Sequence, residues 1–228
     1  MNNGYRVLFF GRLNCTFSQK ALDYLHLLGC EVTVVMSENR RDRLSQEILT
    51  WTGEFIFSFR SHLILPEVLI RKASIAAVNF HPGPPEYPGS GCVNFALFDC
   101  AALYGVTAHI INRKVDSGKI LDVVRFAIHE SDTVGTLLDR TYNYLLGMFY
   151  AVVATLVMNE LSSVHDFVSK GIDETWHGPA RRMSELESLY EVPFDVSAHN
   201  LEKIVRATNT TSFKPFVLIH GHKFEYSE

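Results

Sequence analysis

Hydrophobic residues in this chain fall into short β-branched and aromatic runs separated by stretches with helical periodicity. The run YRVLFF at 5–10 closes on Gly11, and an amphipathic pattern over 16–28 ends at Gly29 before EVTVVM at 31–36. Strand, glycine loop, helix and strand in that order are the βαβ unit of a parallel sheet covered by helices. The pattern continues with a helix over 41–50 and a strand EFIFSF at 54–59. A short helix in LPEVLIRKA, with Pro66 near its first turn, precedes a strand IAAVNF at 75–80. Residues 93–103 read as a helix, and GVTAHIIN and SGKILDVVRFAI as two strands close enough in sequence to pair antiparallel. A long helix then starts at Ser131 or Asp132, either of which can cap it, and runs to about Glu160.

Beyond residue 168 the periodicity weakens. Short helices are expected over 183–189 and 198–207, and KPFVLIHGHKFEY alternates across a His-Gly-His turn as a hairpin does. The expected architecture is α/β, a Rossmann-like, mostly parallel sheet flanked by helices. Its domain spans 1–168, followed by a small C-terminal region at 169–228 with a β-hairpin. The most apolar stretch, 144–158, is shorter than a bilayer span and continues an amphipathic segment, so it reads as a buried core helix. No internal repeat or low-complexity tract stands out.

Composition narrows the function. A chain of 228 residues, 47% of them hydrophobic, can bury a full core, and its net charge of −4 makes a large polyanion an unlikely partner. Arg40, Arg41 and Arg43 read as a solvated helix start rather than a nucleic-acid patch. Cys15, Cys30, Cys92 and Cys100 show neither C-x-x-C spacing nor disulfide density, and no signal peptide precedes the first strand. The expectation is a reducing cytoplasm, with no membrane partner.

The candidate chemistry begins with NFHPGPPEYPGSG at 79–91. Its prolines and glycines preset the backbone angles of a rigid loop at a strand's carboxyl end, the edge where open α/β sheets bind ligands. Asn79 and His81 are one half of the constellation, and the VDSG of 115–118, after the strand GVTAH, is the other. His109, inside that apolar strand, reads as a satisfied core or supporting group. The histidines show no H-x-x-x-H spacing on a helix, and His220-Gly221-His222 is a turn, so no metal is expected.

An Asn-x-His element after one strand and an Asp-x-Gly element after a GVT-type strand resemble the N10-formyltetrahydrofolate-dependent formyltransferase family. The likeness is closest to its sugar N-formyltransferase branch, along NFHPGPPEYPGSGCVNFALF, YGVTAHIINRKVDSGKI and FSFRSHLILP. It covers most of residues 5–160 and extends weakly through the hairpin; Ser90 and Ala108 depart from the usual motifs. The resemblance implies that Asn79, His81 and Asp116 are catalytic, and the reaction explains why such groups are wanted. Formyl transfer to an amine needs a donor for the developing oxyanion and a route for the nitrogen's proton. Asn79 can donate to the oxyanion, while His81 can take the proton or, as an imidazolium, stabilise the oxyanion. Asp116 can orient His81 or relay the proton through water.

The resemblance further implies that N10-formyltetrahydrofolate is the formyl donor, held by the backbone of His62, Leu63 and Ile64 and near Asp116. The implied acceptor is a nucleotide-linked amino sugar, most plausibly dTDP-4-amino-4,6-dideoxyglucose or similar, destined for surface polysaccharide such as O-antigen. A homodimer is implied as well. From position alone, Arg12 and Asn14, before a helix N-terminus, can hold phosphate, and Tyr87 can pack on a sugar or base.

Four alternatives remain at this point. Glycinamide ribonucleotide and methionyl-tRNA are the other family acceptors; the former branch lacks a C-terminal hairpin and the latter resembles chains with a larger, basic C-terminal domain. Asn14-Cys15-Thr16-Phe17-Ser18 also resembles the C-x-x-S of glutaredoxin-like redox modules, although Cys15 as an inert packing residue accounts for it better. The last alternative is a binding protein that kept the fold and lost activity.

Overall fold

The computed structural model describes residues 4–227. Its centre is a six-stranded sheet in the order β2-β1-β3-β4-β5-β6. The strands β1 (Arg6–Arg12), β2 (Glu31–Ser37), β3 (Gly53–Phe59) and β4 (Ala73–His81) run parallel, while β5 (Leu103–Ile110) and β6 (Ile120–Ala127) add antiparallel. The α/β expectation therefore describes the observed fold. The central strands are buried on both faces, as the near-continuous apolar runs demanded. Val7 and Phe9 of β1 face the core beneath α1 (Thr16–Leu27) and α5 (Val134–Met158), whereas Leu8 and Phe10 face the other side, over α2 (Gln46–Thr50) and α3 (Glu67–Ile70).

Helix α5 places Leu145, Phe149, Val152, Val153 and Leu156 against the sheet, and Phe149 packs against Phe9, Phe57, Phe59 and Phe80. This helix, 25 residues long, is apolar enough to cross a bilayer by length and composition, so its length does not exclude a span as the shorter window 144–158 suggested. Burial of this stripe against the sheet makes it a core helix.

Several boundaries differ from the sequence reading. The second helix is only Gln46–Thr50, capped by the Ser45 hydroxyl, so Arg40, Arg41 and Arg43 lie in the preceding loop. The third long pattern is helix α4 (Cys92–Phe98); it stops at Asp99 because Leu103 already begins β5. The cap of α5 is Thr133, whose hydroxyl accepts from Thr136 N–H, while Asp132 accepts instead from His129 N–H and the Arg140 guanidinium.

Helix α6 (Leu161–Lys170) follows α5. A segment over 171–182 then runs back along the sheet edge to α7 (Met183–Tyr190) and α8 (Ala198–Thr208). Helix α8 packs on α4, where Asn94 Nδ2 donates to the Ala207 carbonyl at 2.7 Å. The chain ends in the antiparallel hairpin β7 (Phe216–Ile219) and β8 (His222–Glu225), as the alternation predicted.

Candidate active site

Asn79 and His81 occupy the last positions of β4 rather than a free loop. Two positions apart on a strand, they share a face. Antiparallel pairing sets Asn79 opposite His109 and His81 opposite Thr107, so a second polar pair from β5 meets the first. The chain beyond His81 is pinned from beneath. Tyr104 donates its hydroxyl to the Pro82 carbonyl at 2.7 Å, and Thr107 donates to the Gly83 carbonyl at 2.8 Å.

Asp116 arrives from the turn between β5 and β6. Its backbone is left-handed at φ 42°, a conformation that Asp tolerates better than most residues. One carboxylate oxygen, Oδ2, lies 3.2 Å from His81 Nδ1 and accepts the Gly89 N–H at 2.8 Å; the other, Oδ1, lies 3.3 Å from His109 Nε2. Gly89 has φ 92°, and a Cβ there would stand 2.4 Å from the backbone of Arg181, so this donor position requires glycine.

The hydrogen bonds determine charge. His81 Nε2 faces the Tyr87 carbonyl at 3.0 Å, so both of its ring nitrogens meet acceptors and the ring carries two protons. Burial, the largest single influence, would lower the His81 pKa, but the ionised Asp116, Cys92 and the Tyr87 carbonyl together outweigh it and raise it to about 10. Burial would raise Asp116; the facing His81 and His109 and the Gly89 N–H hold it down to about 2. His109 Nδ1 donates to the Ile110 carbonyl at 2.9 Å, leaving Nε2 toward Asp116 and, at 3.1 Å, the Asn79 amide. Cys92 Sγ lies 3.6 Å from His81 Nε2 and donates to the Gly89 carbonyl at 3.2 Å.

Asn79, His81, His109 and Asp116 line the wall of a cavity of about 780 Å³. Arg12, Arg40, Arg60, Lys114, Arg181 and Arg182 also line it, against the carboxylates of Asp42 and Asp116. In a chain of net charge −4 this is a concentration of cations at one opening, suited to anionic ligands. Two of the cations are held in place. Arg60 stacks on Tyr142 at 3.4 Å and donates to Cys15 Sγ at 2.9 Å, while Arg40 donates to Ser90 at 3.2 Å.

The remaining sequence candidates divide. His62, Leu63, Ile64 and Arg12 line the cavity. Asn14 and Tyr87 are not among its lining residues. The Tyr87 ring is buried beside Tyr104 in the core under α4, because the prolines around it turn its carbonyl, not its ring, toward His81. The loop before α1 uses its donors internally: Arg12 N–H binds Ser18 Oγ, Leu13 N–H binds the Ser37 carbonyl, and Ser18 N–H binds Cys15 Sγ. Cys15 is thus a helix cap rather than inert packing. Burial would raise its thiol, yet the Ser18 hydrogen bonds and the Arg60 charge hold it below the usual range.

His109, expected to be a satisfied core or supporting group, is buried and supports Asp116 and Asn79; the polar pair Thr107-x-His109 in an otherwise apolar strand marks that face of β5. Arg40, expected on a solvated helix start, and Arg60, which the sequence did not single out, both line the cavity because of the loop paths that carry them there. Among the described residues no group of three or more His, Cys, Asp or Glu is placed to hold a metal.

A family model described as formyl transferase matches residues 9–151, more than half of the chain. The chain belongs to the formyl transferase family. By sequence it is 25% identical over 180 residues to the methionyl-tRNA formyltransferase of Lachnospira eligens, spanning 78% of this chain and 55% of that protein. The chain thus spans only about half the length of that curated relative. Among solved structures, a sugar N-formyltransferase from Shewanella sp. FDAARGOS_354 shares the fold at a TM-score of 0.74 and 17% identity, over 97% of this chain and 96% of that one. The formyltransferase PseJ from Anoxybacillus kamchatkensis, solved with UDP-4,6-dideoxy-4-formamido-L-AltNAc and tetrahydrofolate, matches at a TM-score of 0.66 and 21% identity, over 87% of this chain and 97% of that one.

Proposed function

We propose that this formyl transferase family member moves a formyl group from N10-formyltetrahydrofolate to the amine of a nucleotide-linked amino sugar. The observation that carries the reading is the meeting of Asn79, His81 and Asp116, with His109, at one cavity wall. Asn79 offers an amide donor to the formyl oxygen as the carbon becomes tetrahedral, and the His81 imidazolium supplies positive charge beside it. Asp116, ionised, holds that charge in place and is the acceptor toward which the proton leaves the attacking nitrogen, directly or through a water. The donor arrives already activated, so the reaction needs no metal.

The folate fits the lining. Residues 61–65 lie outside helix and strand, Ile64 is 74% exposed, and among the described residues the Ile64 N–H and C=O have no hydrogen-bond partner. Free backbone donors and acceptors along a cavity wall suit the polar edge of a pterin ring. The arginines answer the two anionic groups that the substrates bring, the folate's glutamate tail and the nucleotide's diphosphate.

For the acceptor, the fold shared with PseJ, which was solved with a UDP-linked formamido sugar and tetrahydrofolate, and with the Shewanella sugar N-formyltransferase supports an amino sugar. We take dTDP-4-amino-4,6-dideoxyglucose or a close analogue, used for surface polysaccharide, as the substrate. Glycinamide ribonucleotide is the second candidate. We also propose a cytoplasmic homodimer whose contact includes the hairpin, where Leu218, Ile219, Phe224 and Tyr226 are exposed. The purified protein should release tetrahydrofolate only in the presence of an amino sugar nucleotide, and His81→Ala should stop it. Turnover on tRNA alone would overturn the reading.

A further inference from the structure

Trp176 lies 25 residues beyond the end of the family match, on the segment between α6 and α7. Its indole sits against both imidazoles of the site. The ring centroids are 5.6 Å from His81 and 5.0 Å from His109, with the planes crossed at 76° and 87°. Its Nε1–H donates to the Gly118 carbonyl at 2.8 Å, in the same turn that carries Asp116. One side chain therefore touches two of the four polar groups and the turn that supplies a third.

The segment holding Trp176 is anchored on both sides of it. Ile172 N–H binds the Ile120 carbonyl at 3.1 Å, and His177 N–H binds the Pro85 carbonyl at 2.9 Å. Arg181 pairs with the loop after His81, its N–H to the Pro88 carbonyl and its carbonyl from Ser90 N–H, each at 2.9 Å. Glu174 forms a two-pronged pair with Arg125 at 2.8 and 2.6 Å, and Arg125 also reaches Glu86 at 2.8 Å. Such anchoring exceeds what a mere connector between helices needs.

We propose that Trp176 is a positioning residue of the formyl-transfer site, the shared wall against which the His81 and His109 rings are set around the Asp116 carboxylate. Each imidazole can turn about its Cβ–Cγ bond, and a turn of either ring breaks its contact with the single carboxylate. Perpendicular aromatic packing on both rings restrains that rotation, and the indole's bulk keeps water from the ion pair, where water would screen it. The groups facing His81 are Asp116 from the β5–β6 turn, Cys92 from α4 and the Tyr87 carbonyl, with His109 behind Asp116. Turning the ring away from Asp116 and the Tyr87 carbonyl while admitting water would weaken burial and the raising contacts together; because those contacts jointly outweigh burial in the intact site, the His81 midpoint would move down toward 6.5.

The inference rests on the proposed transfer reaction only for its kinetic readout, so the decisive measurement needs no substrate. Imidazole 15N shifts are followed against pH in wild type, Trp176→Phe and Trp176→Ala. The expected result is a His81 midpoint lower by about one unit or more in Trp176→Ala, with Trp176→Phe between it and wild type. With substrate, kcat should fall about tenfold in Trp176→Ala while KM changes less than about twofold. The protein has two tryptophans, and Trp51→Phe identifies the Trp176 indole N–H signal. That signal should shift with the His81 titration in the otherwise intact protein, a readout that survives if the alanine variant does not fold. An unmoved His81 midpoint in folded Trp176→Ala, an indole signal indifferent to that titration, or a raised KM with unchanged kcat would overturn the proposal. Failure to formylate any amino sugar, with the titration shift present, would instead count against the assigned substrate.

Discussion

Replacing Asp116 with asparagine keeps its shape and its tolerance for a left-handed backbone while removing the charge between two imidazoles. In the native fold burial would lower the His81 pKa, but Asp116, the largest of the raising contacts, together with Cys92 and the Tyr87 carbonyl lifts it from 6.5 to about 10. A folded pKa above the unfolded one adds stability that is complete below about 6.5 and disappears as pH rises through about 10. At about 1.36 kcal/mol per pH unit, the His81–Asp116 coupling is worth up to about 4 kcal/mol at pH 7, counted once for the pair. Asp116→Asn leaves a buried imidazole that simply loses its proton, so the variant should be less stable than wild type by about 2–4 kcal/mol at pH 7. The deficit should then shrink toward pH 10. Urea unfolding of both proteins at pH 6, 7, 8 and 9, with m-values checked for equality, measures it. A deficit that stays constant from pH 6 to 9 would show that His81 is not protonated in the native state and would refute the charge assignment.

Other consequences follow from the same geometry. Asn79→Ala and His81→Ala should each lower kcat by about 10²–10⁴ with a native circular-dichroism spectrum; a loss below fivefold for either would remove it from the reaction. Gly118→Ala should fail to fold properly or lose most activity, since a Cβ would stand 1.7 Å from the Ile110 carbonyl that His109 Nδ1 binds; an unchanged melting temperature would contradict that packing. Arg60→Ala and Arg40→Ala should raise KM for anionic substrates about three- to thirtyfold, an effect that fades in high salt, whereas salt-independent losses would point to a structural role. Activity should hold on the alkaline side until His81 deprotonates near pH 10. A fall centred near 6.5 would mean that the carboxylate does not control the ring.

The sheet was legible because its strands are buried on both faces and therefore read as unbroken apolar runs: 54–59 and 75–80 lie within observed strands. Boundaries were less so where a loop is stabilised by its own side chains bonding back to the backbone. The stretch after Arg40 has helical composition, yet Asp42 accepts from Glu38 and Asn39 N–H and turns the chain. Asn79, His81 and Asp116 stood out as polar groups in fixed motifs, and the structure brings them together. His109 and Trp176 touch the same groups but announce themselves weakly. A histidine in a strand and a tryptophan in an aperiodic segment acquire their contacts only through β-register and through a strap pinned to the loop after His81. Tyr87 shows the reverse: a position beside the site whose side chain belongs to the core.

The most direct test mixes the purified protein with N10-formyltetrahydrofolate and, separately, a panel of dTDP-, UDP- and GDP-linked amino sugars, glycinamide ribonucleotide and methionyl-tRNA, following tetrahydrofolate release and product mass. Release with at least one amino sugar nucleotide, a mass gain of one formyl group on that sugar, and its loss in His81→Ala are expected. Release with methionyl-tRNA and with none of the sugars, or undiminished release from His81→Ala, would contradict the proposed reaction.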